Sequence, residues 1–445
     1  MAVSPARAAA FEILLKVERD ESYASELLHS SRLATISSSD RGLATELVMG
    51  VLRWRSLLDQ RLASASSQRL DRLDPEVLAA LRLGIYQLHF LSRVPARAAI
   101  FESVELVKQA RKRSAASYVN AILRKAERNR AESTLEVIEQ CADADQLAAC
   151  SAHPEWLVAR WVERYGLAAA RQICEHDQTV PETAIHIYDD RSEKELTEAG
   201  VQLSPGLLLS SARRVESGDI TRTSAYREGR ISIQDEASQL VALLAGYGEK
   251  ILDCCAAPGN KAALLAKRNP SGRVFAAELH FHRARLLRRL VSLPNVHVVA
   301  ADARQLPFAS GFDRILADVP CSGTGTLARN PEIKWRLKPE DLADLQSRQI
   351  AILKSALDQL AVGGRLVYST CSLEREENEA VVEAALEVGG KFALVDCRVE
   401  LEDLIRAREL RWKDVGSLVS GPYLRTIPGK HPCDGFFAAI MERKP

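Results

Sequence analysis

KILDCCAAPGNKAALLAKR, residues 250–268, reads as a short apolar strand that runs through a turn holding Pro258 and Gly259 directly into an amphipathic helix. Four further apolar runs follow, separated by helical patterning: RVFAAEL (273–279), VHVVAAD (296–302), FDRILADVP (312–320) and GRLVYSTCS (364–372). Strands alternating with helices predict a parallel sheet covered on both faces. Ligands of such sheets bind outside the carboxyl ends of the strands, where backbone N–H groups of the first turn approach them. Only Gly259 serves this turn, and the absence of GxGxxG disfavours a dinucleotide pyrophosphate.

The strand ends carry acids. Glu278 closes the second strand, where a carboxylate can accept hydrogen bonds from both ribose hydroxyls of an adenosine, and Asp302 follows the third, suited to the adenine edge. One acid at a strand end is weak evidence, because such residues often cap the next helix. Asp253, Glu278 and Asp302, three in register with a glycine turn, carry more weight. Asp318 opens DVPCSGTG (318–325) after the fourth strand, and the fifth ends in YSTCS (368–372). Cys321 and Cys371 are thereby predicted on the same rim as the turn.

A thiol on that rim suits one chemistry. C5 of cytosine is a poor nucleophile, and a thiolate adding to C6 makes the ring enamine-like, so that C5 can take a methyl group. A base must then remove the C5 proton before the thiol leaves. Asp318 is placed to hold the N3/N4 edge of the base and favour protonation at N3. Cys371 precedes LEREENEAVVEAALE (373–387), whose periodicity predicts a helix and hence a dipole that favours the thiolate. Glu374, Glu376 and Glu377 oppose this if they face the sulfur, and Lys261 can compensate. A stacked base is out of reach of such groups, so the expected target is single-stranded or flipped out.

Upstream the texture differs. Apolar residues recur three and four apart in ARAAAFEILLKV (6–17), RGLATELVMGVLRWRSLLDQRL (41–62) and ASYVNAILRKAERNR (116–130), which predicts an all-α bundle over residues 1–135. ISSSD (36–40) and LDPEV (73–77) mark loops and helix starts. Residues 136–235 hold a linker helix in HPEWLVARWVERYG (153–166) and a small α+β unit in ETAIHIYDD (182–190), the SPG turn (204–206) and EGRISIQDEAS (228–238). The α/β catalytic domain is expected over 236–445.

Charge is unevenly spread. Residues 1–130 contain 21 Lys and Arg against 14 Asp and Glu, a net of +7 that leaves −6 for the remainder of the chain. A polyanion partner for the first part is one reading and a solvated helical surface the other. The late basic cluster is Lys108, Arg111, Lys112, Arg113, Arg124, Lys125, Arg128 and Arg130. No stretch approaches the roughly 20 apolar residues of a membrane span, and acids near the start disfavour a signal sequence, so a soluble cytoplasmic protein without a membrane partner is expected. The nine cysteines are scattered and include no CxxC pair, which disfavours disulfides and structural zinc; no metal is expected. Cys254 and Cys397 fit the ordinary case of a buried structural thiol.

CAAPGNK (255–261), DVPCSGTG (318–325), RNPEIKW (329–335), YSTCS (368–372) and DGFF (434–437) resemble the signature blocks of the RNA cytosine-5 methyltransferases. The helical first part, with VNAILRKAERN (119–129), resembles the NusB-like module that precedes the catalytic domain in the small-subunit ribosomal RNA methyltransferase B type, also called Sun or Fmu. The resemblance covers nearly the whole chain. It implies a class I, Rossmann-like S-adenosylmethionine methyltransferase domain behind an RNA-binding bundle, a cytosine of small-subunit (16S) ribosomal RNA as target, and a monomer. It further implies that Cys255, Ala256, Ala257, Pro258, Gly259, Asn260, Lys261, Glu278, Asp302 and Asp318 contact the cofactor. By the same resemblance Cys371 is the nucleophile and Cys321 assists product release, with Asp318 and Lys261 beside them. In DNA cytosine methyltransferases, by contrast, the Pro-Cys cysteine attacks. Three departures stand out: Asn260 replaces a second glycine, Ala262 a threonine, and Glu278 the commoner aspartate. A scaffold protein with a relic fold would have no use for both Cys321 and Cys371, and a small-molecule methyltransferase would leave them idle.

Overall fold

The computed structural model describes residues 3–20, 22–28, 35–128, 134–309, 311–387 and 390–445. The chain divides into two units, Met1–Val180 with Leu327–Leu337, and Pro181–Thr326 with Lys338–Pro445.

The first unit is helical, as the three- and four-residue periodicity predicts. Its helices include Pro5–Asp20, Ser38–Arg53, Arg55–Ala65, Pro75–Phe90, Ala96–Gln109 and Ala116–Arg128. ISSSD is a helix start: the Ser37 hydroxyl accepts from the Asp40 N–H at 3.1 Å. LDPEV is another, with Pro75 in the first turn, where its missing N–H costs nothing. Pro75–Phe90 is the central helix, buried from Val77 to Leu88 at every position but Leu78. Around it Leu47, Leu58, Leu62 and Leu123 are fully buried, each contributing about 2 kcal/mol.

The basic residues of this unit divide by role. Lys108 pairs with Glu105 at 2.7 Å and Lys112 with Asp74 at 3.0 Å. Lys125 donates to the terminal carbonyls of Ser64 and Ala65, capping Arg55–Ala65. Arg111, Arg113 and Arg124 are exposed and have no carboxylate partner among the described residues. Arg130 lies outside the described residues.

The RNPEIKW block, read from the sequence alongside the catalytic motifs, lies in this helical unit. Lys334 Nζ donates to the carbonyls of Arg53 (2.8 Å) and Ala152 (3.0 Å), and Trp335 Nε1 to that of Leu52 (2.6 Å). The Arg53 and Leu52 carbonyls belong to the last turn of Ser38–Arg53, and Ala152 is the C-cap of helix Ala144–Ser151; an α-helix leaves its last carbonyls without internal partners. Arg336 reaches the carbonyls of Val17 and Ser22, and Glu332 accepts from the Ala24 N–H at 2.8 Å. Lys334 is wholly buried, and burial pulls its ammonium from the usual 10.5 down to about 7.

A folded-state value below the unfolded one means that the unfolded chain binds the extra proton between about pH 7 and 10.5. The native state therefore gains stability as pH rises through that window. Between pH 7 and 10 the wild type should gain up to about 4 kcal/mol relative to Lys334→Met, at about 1.4 kcal/mol per pH unit. Parallel chemical denaturation curves across that range check this; a pH-independent difference would mean that Lys334 is not buried as a base.

The second unit contains two sheets. The smaller is antiparallel, in the order β2-β3-β1-β4, from β1 (Thr183–Ile187), β2 (Gln202–Pro205), β3 (Ala212–Ser217) and β4 (Ile231–Ile233). Helix Asp190–Glu198 packs on it, with Ile185, Leu196, Val201 and Ile231 in its core.

The larger sheet begins with β5 (Lys250–Asp253), β6 (Arg273–Glu278), β7 (Val296–Ala300), β8 (Phe312–Asp318) and β9 (Leu360–Thr370), the five predicted strands. They pair in parallel in the order β7-β6-β5-β8-β9. The sheet continues through β10 (Phe392–Val395), β11 (Val419–Ser420), β12 (Tyr423–Arg425) and β13 (Phe437–Arg443). β13 runs antiparallel beside β9, with Phe437 opposite Thr370. Periodicity did not reveal it, because FAAIM is buried on both faces and shows no alternation.

Candidate active site

Main-chain bonds from Cys254 N–H to Leu316 O and from Ala256 N–H to Ala277 O, both 2.9 Å, carry the β5 end past its neighbours. The chain then turns through a cis Ala257–Pro258 bond. Gly259 opens helix Asn260–Arg268 at φ +123°, which L side chains rarely adopt, and a Cβ there would lie 2.4 Å from Val291 Cγ2. The sequence departures have local partners: Asn260 Nδ2 donates to the Ile233 carbonyl of β4 at 2.8 Å, and Ala262 is buried against Ala256, Ala276 and Leu287. Burial pushes the Cys255 thiol up.

Asp253 lies beneath this turn, fully buried, and neither carboxylate oxygen accepts a hydrogen bond of normal geometry; the Cys255 N–H gives only a weaker electrostatic contact. Burial, then repulsion from Asp318, pushes its carboxyl up to about 7. Glu278 at the end of β6 accepts from the His280 N–H through Oε1 at 2.9 Å, and no donor among the described residues reaches Oε2. Asp302 is engaged differently. It caps the short turn Ala303–Gln305, and Arg304 grips both of its oxygens at 2.6–3.0 Å, holding its carboxyl below the usual range.

At the ends of β8 and β9, Asp318 lies opposite Ser369. The Ser369 hydroxyl donates to Asp318 Oδ1 at 2.8 Å, and Lys261 Nζ lies 2.7 Å from Oδ2. Burial alone would lower the Lys261 pKa, but Asp318 outweighs it and leaves it raised. The same ammonium lies 5.4 Å from the ring centroid of Phe436 in DGFF. The two sulfurs, Cys321 Sγ and Cys371 Sγ, are 3.3 Å apart. Their hydrogen bond, then burial, pushes the Cys321 thiol well up. The DGFF block closes around them: Gly325 N–H donates to Cys371 O (2.9 Å) and Gly435 N–H to Gly325 O (2.8 Å). A Cβ on Gly325 would lie 2.2 Å from Gly435 O, so both glycines are needed for this approach.

One expectation fails. Cys371 is not at a helix N-terminus: a single 3-10 turn, Arg375–Glu377, intervenes, and the helix runs only over Glu379–Leu386. Side chains capture the backbone that would have wound. Thr370 Oγ1 accepts from Ser372 N–H, Ser372 Oγ from Glu374 N–H, and Asn378 Nδ2 donates to Ser372 O. No helix dipole therefore acts on this sulfur.

Glu377, considered from the sequence only as an unfavourable charge near the sulfur, is turned to another task. Its buried carboxylate accepts from Ser322 N–H (2.8 Å) and Gln349 Nε2 (2.9 Å) through Oε1, and from the hydroxyls of Ser322 and Ser372 through Oε2. Ser322 and Ser372 each follow one of the cysteines, so a single carboxylate ties both loops. Sequence reasoning missed Ser322, Ser372, Gln349 and this use of Glu377; the serine after each cysteine was the available signal. Glu377→Ala should lower stability by about 3 kcal/mol through four stranded donors, with a smaller loss in Glu377→Gln. Urea midpoints measure this, and a wild-type midpoint for Glu377→Ala would show that the network does not hold the loops.

Among the described residues no group of three or more His, Cys, Asp or Glu is placed to hold a metal ion, and no helix is long and apolar enough to cross a membrane.

Residues 241–442 match the family described as 16S rRNA methyltransferase RsmB/F, and residues 4–128 match the NusB family. The chain is 35% identical to the probable ribosomal RNA small subunit methyltransferase B of Bacillus subtilis, over 98% of each chain. It is 32% identical to the ribosomal RNA small subunit methyltransferase B of Vibrio cholerae, over 92% of this chain and 91% of the other. In fold it is similar to the crystal structure of PH0851, with a TM-score of 0.81, 21% identity and full coverage of both chains. It also resembles NSun6 from Pyrococcus horikoshii with SFG, at a TM-score of 0.56 and 19% identity, over 66% of this chain and 99% of that one.

Proposed function

Because the chain belongs to the ribosomal RNA small subunit methyltransferase B family, we propose that it methylates C5 of a cytosine in small-subunit ribosomal RNA through a Cys371–C6 adduct, with Cys321 assisting release. The observation that carries this reading is the pair of sulfurs 3.3 Å apart at the ends of adjacent strands, beside the Lys261–Asp318 pair.

S-adenosylmethionine is the methyl donor of the family, and when bound it supplies an electrophilic methyl group on a sulfonium. The residues present fit it. The turn from Cys255 through Ala256, Ala257, Pro258, Gly259 and Asn260 to Lys261 opens helix Asn260–Arg268, whose first N–H groups have no acceptor within the helix, and Glu278 Oε2 is open to a ribose hydroxyl. The unsatisfied Asp253 carboxylate beneath the turn favours a cationic or donor-bearing ligand. Asp302 takes the adenine edge in competition with Arg304, and Asp318 borders the methyl-bearing end.

The chain's own groups then divide the work on the pyrimidine. Cys371 reacts as the thiolate: its sulfur forms a bond to C6, and N3 takes up a proton that the Lys261 ammonium supplies through Asp318, which holds the N3/N4 edge. Ser369 and Lys261 fix the Asp318 carboxylate for that contact. Cys321, whose proton is held tightly, suits the hydrogen-bonding partner of the pair better than the attacking member. After C5 carries the methyl, the C5 proton passes to solvent, its electron pair re-forms the C5–C6 double bond, the C6–S pair leaves on Cys371 as the thiolate and N3 gives up its proton; Cys321 assists this release. The base must be single-stranded or flipped out to reach these groups. The NusB-like helical part, residues 1–135 by its sequence boundaries, binds the ribosomal RNA through phosphates at Arg111, Arg113 and Arg124.

Cys371→Ala should abolish both methylation and covalent capture of RNA, whereas Cys321→Ala should accumulate a protein–RNA adduct on a denaturing gel. Bisulfite mapping of the product reads the position of the mark. Turnover by Cys371→Ala at the normal rate would end this reading, and normal turnover by Cys321→Ala without adduct would remove its release role.

A further inference from the structure

Helix Phe281–Leu290, FHRARLLRRL, begins three residues after Glu278 and contains four arginines, one histidine and no acid. Ala284 and Leu287 face the core, and every other position is exposed. Two adjacent stripes face outward, Phe281-Arg285-Arg288 and His282-Leu286-Arg289, at the spacing that puts side chains on one helical face. Phe281 is 69% exposed and Leu290 57%, more than any other large apolar side chain on a helix among the described residues. Arg285 lies over the Phe281 ring, its Cζ 6.0 Å from the centroid.

Ordinary solvation accounts for part of this. Arg288 and Arg289 lie in the last turn, where the helix dipole favours cations. It does not account for a first turn without an acid, nor for an exposed aromatic ring among guanidinium groups. By comparison, helix Cys397–Arg406 (CRVELEDLIR) balances its two arginines with three acids. Of the four arginines, Arg283 alone meets a carboxylate among the described residues: Nη1 lies 3.7 Å from Glu278, and Nη2 donates to Ala257 O at 3.4 Å. Those contacts join the base of the helix to the cofactor turn, so the outward face is continuous with the candidate active-site rim.

We propose that the face formed by Phe281, Arg285, Arg288, Leu290 and Arg289 holds single-stranded ribosomal RNA flanking the target nucleotide, with phosphates on the arginines and a base stacked on Phe281. Cations along a groove or ridge and an exposed ring for stacking are the two elements that hold unpaired nucleic acid without sequence readout. A helix of ten residues, about 15 Å long, tracks about two or three nucleotides. The proposal rests on ribosomal RNA being the substrate, and not on which base or atom is methylated.

The test uses the full chain and a small-subunit ribosomal RNA transcript. The Arg285→Glu/Arg288→Glu/Arg289→Glu variant should bind that RNA at least about tenfold more weakly at 0.1 M salt. Its dependence of log affinity on log salt should be shallower by about two, at about 0.7 per phosphate lost. Phe281→Ala should weaken binding roughly tenfold with no change in that slope. S-adenosylmethionine affinity and melting temperature should stay at wild-type values in both. An unchanged RNA affinity and slope in the charge-reversed variant overturns the proposal. So does normal binding to the naked transcript with methylation lost only on assembled small-subunit particles, which would assign the face to a ribosomal protein. A wild-type protein that makes no 5-methylcytosine, with the slope still flattened by charge reversal, would overturn the cytosine reaction and leave this surface standing.

Discussion

The parallel pairing of β8 with β9 is the constraint from which the candidate site follows. In that register Asp318 lies opposite Ser369, so the loops leaving the two strands start side by side and their cysteines meet at 3.3 Å. Strand register has a period of two, and a slip by one residue would turn Asp318 and Ser369 to opposite faces and separate the sulfurs. The register is held at the rim as well as in the sheet. Glu377 bonds the residue after each cysteine, and Gly325 links Cys371 to the DGFF turn. Glu377, Ser322, Ser372 and Gly325 are buried, where a missing bond costs more than a formed one yields, and this makes the arrangement rigid.

That rigidity has an electrostatic side. Asp253, Asp318, Glu278 and Glu377 are acids set at or near one rim, while Lys261 is the cation bonded to Asp318. The raised Cys321 thiol follows from the same crowding, with the Cys371 bond and burial as its first causes.

Much of the site was legible in the chain. The five parallel strands, the turn at Gly259, Glu278 at a strand end and the two cysteines on one rim all lie where apolar periodicity and punctuation placed them. One reading went otherwise for a physical reason. LEREENEAVVEAALE has helical periodicity from its start, yet Thr370, Ser372 and Asn378 bind the first turn's backbone groups and delay the helix to Glu379.

The sequence by itself determined the class of fold and which polar and thiol side chains stand at the strand ends, because periodicity and turn residues are local properties that neighbours in the chain express. Tertiary structure alone decided three things. RNPEIKW packs in the helical unit, with Lys334 bonded to a carbonyl 281 positions away; β13 inserts antiparallel beside β9; and Glu377 bonds to Ser322 across 55 positions. Each is a pairing of polar groups or strand edges distant in the chain. Which donor meets which acceptor is settled only when burial removes water as the competing partner.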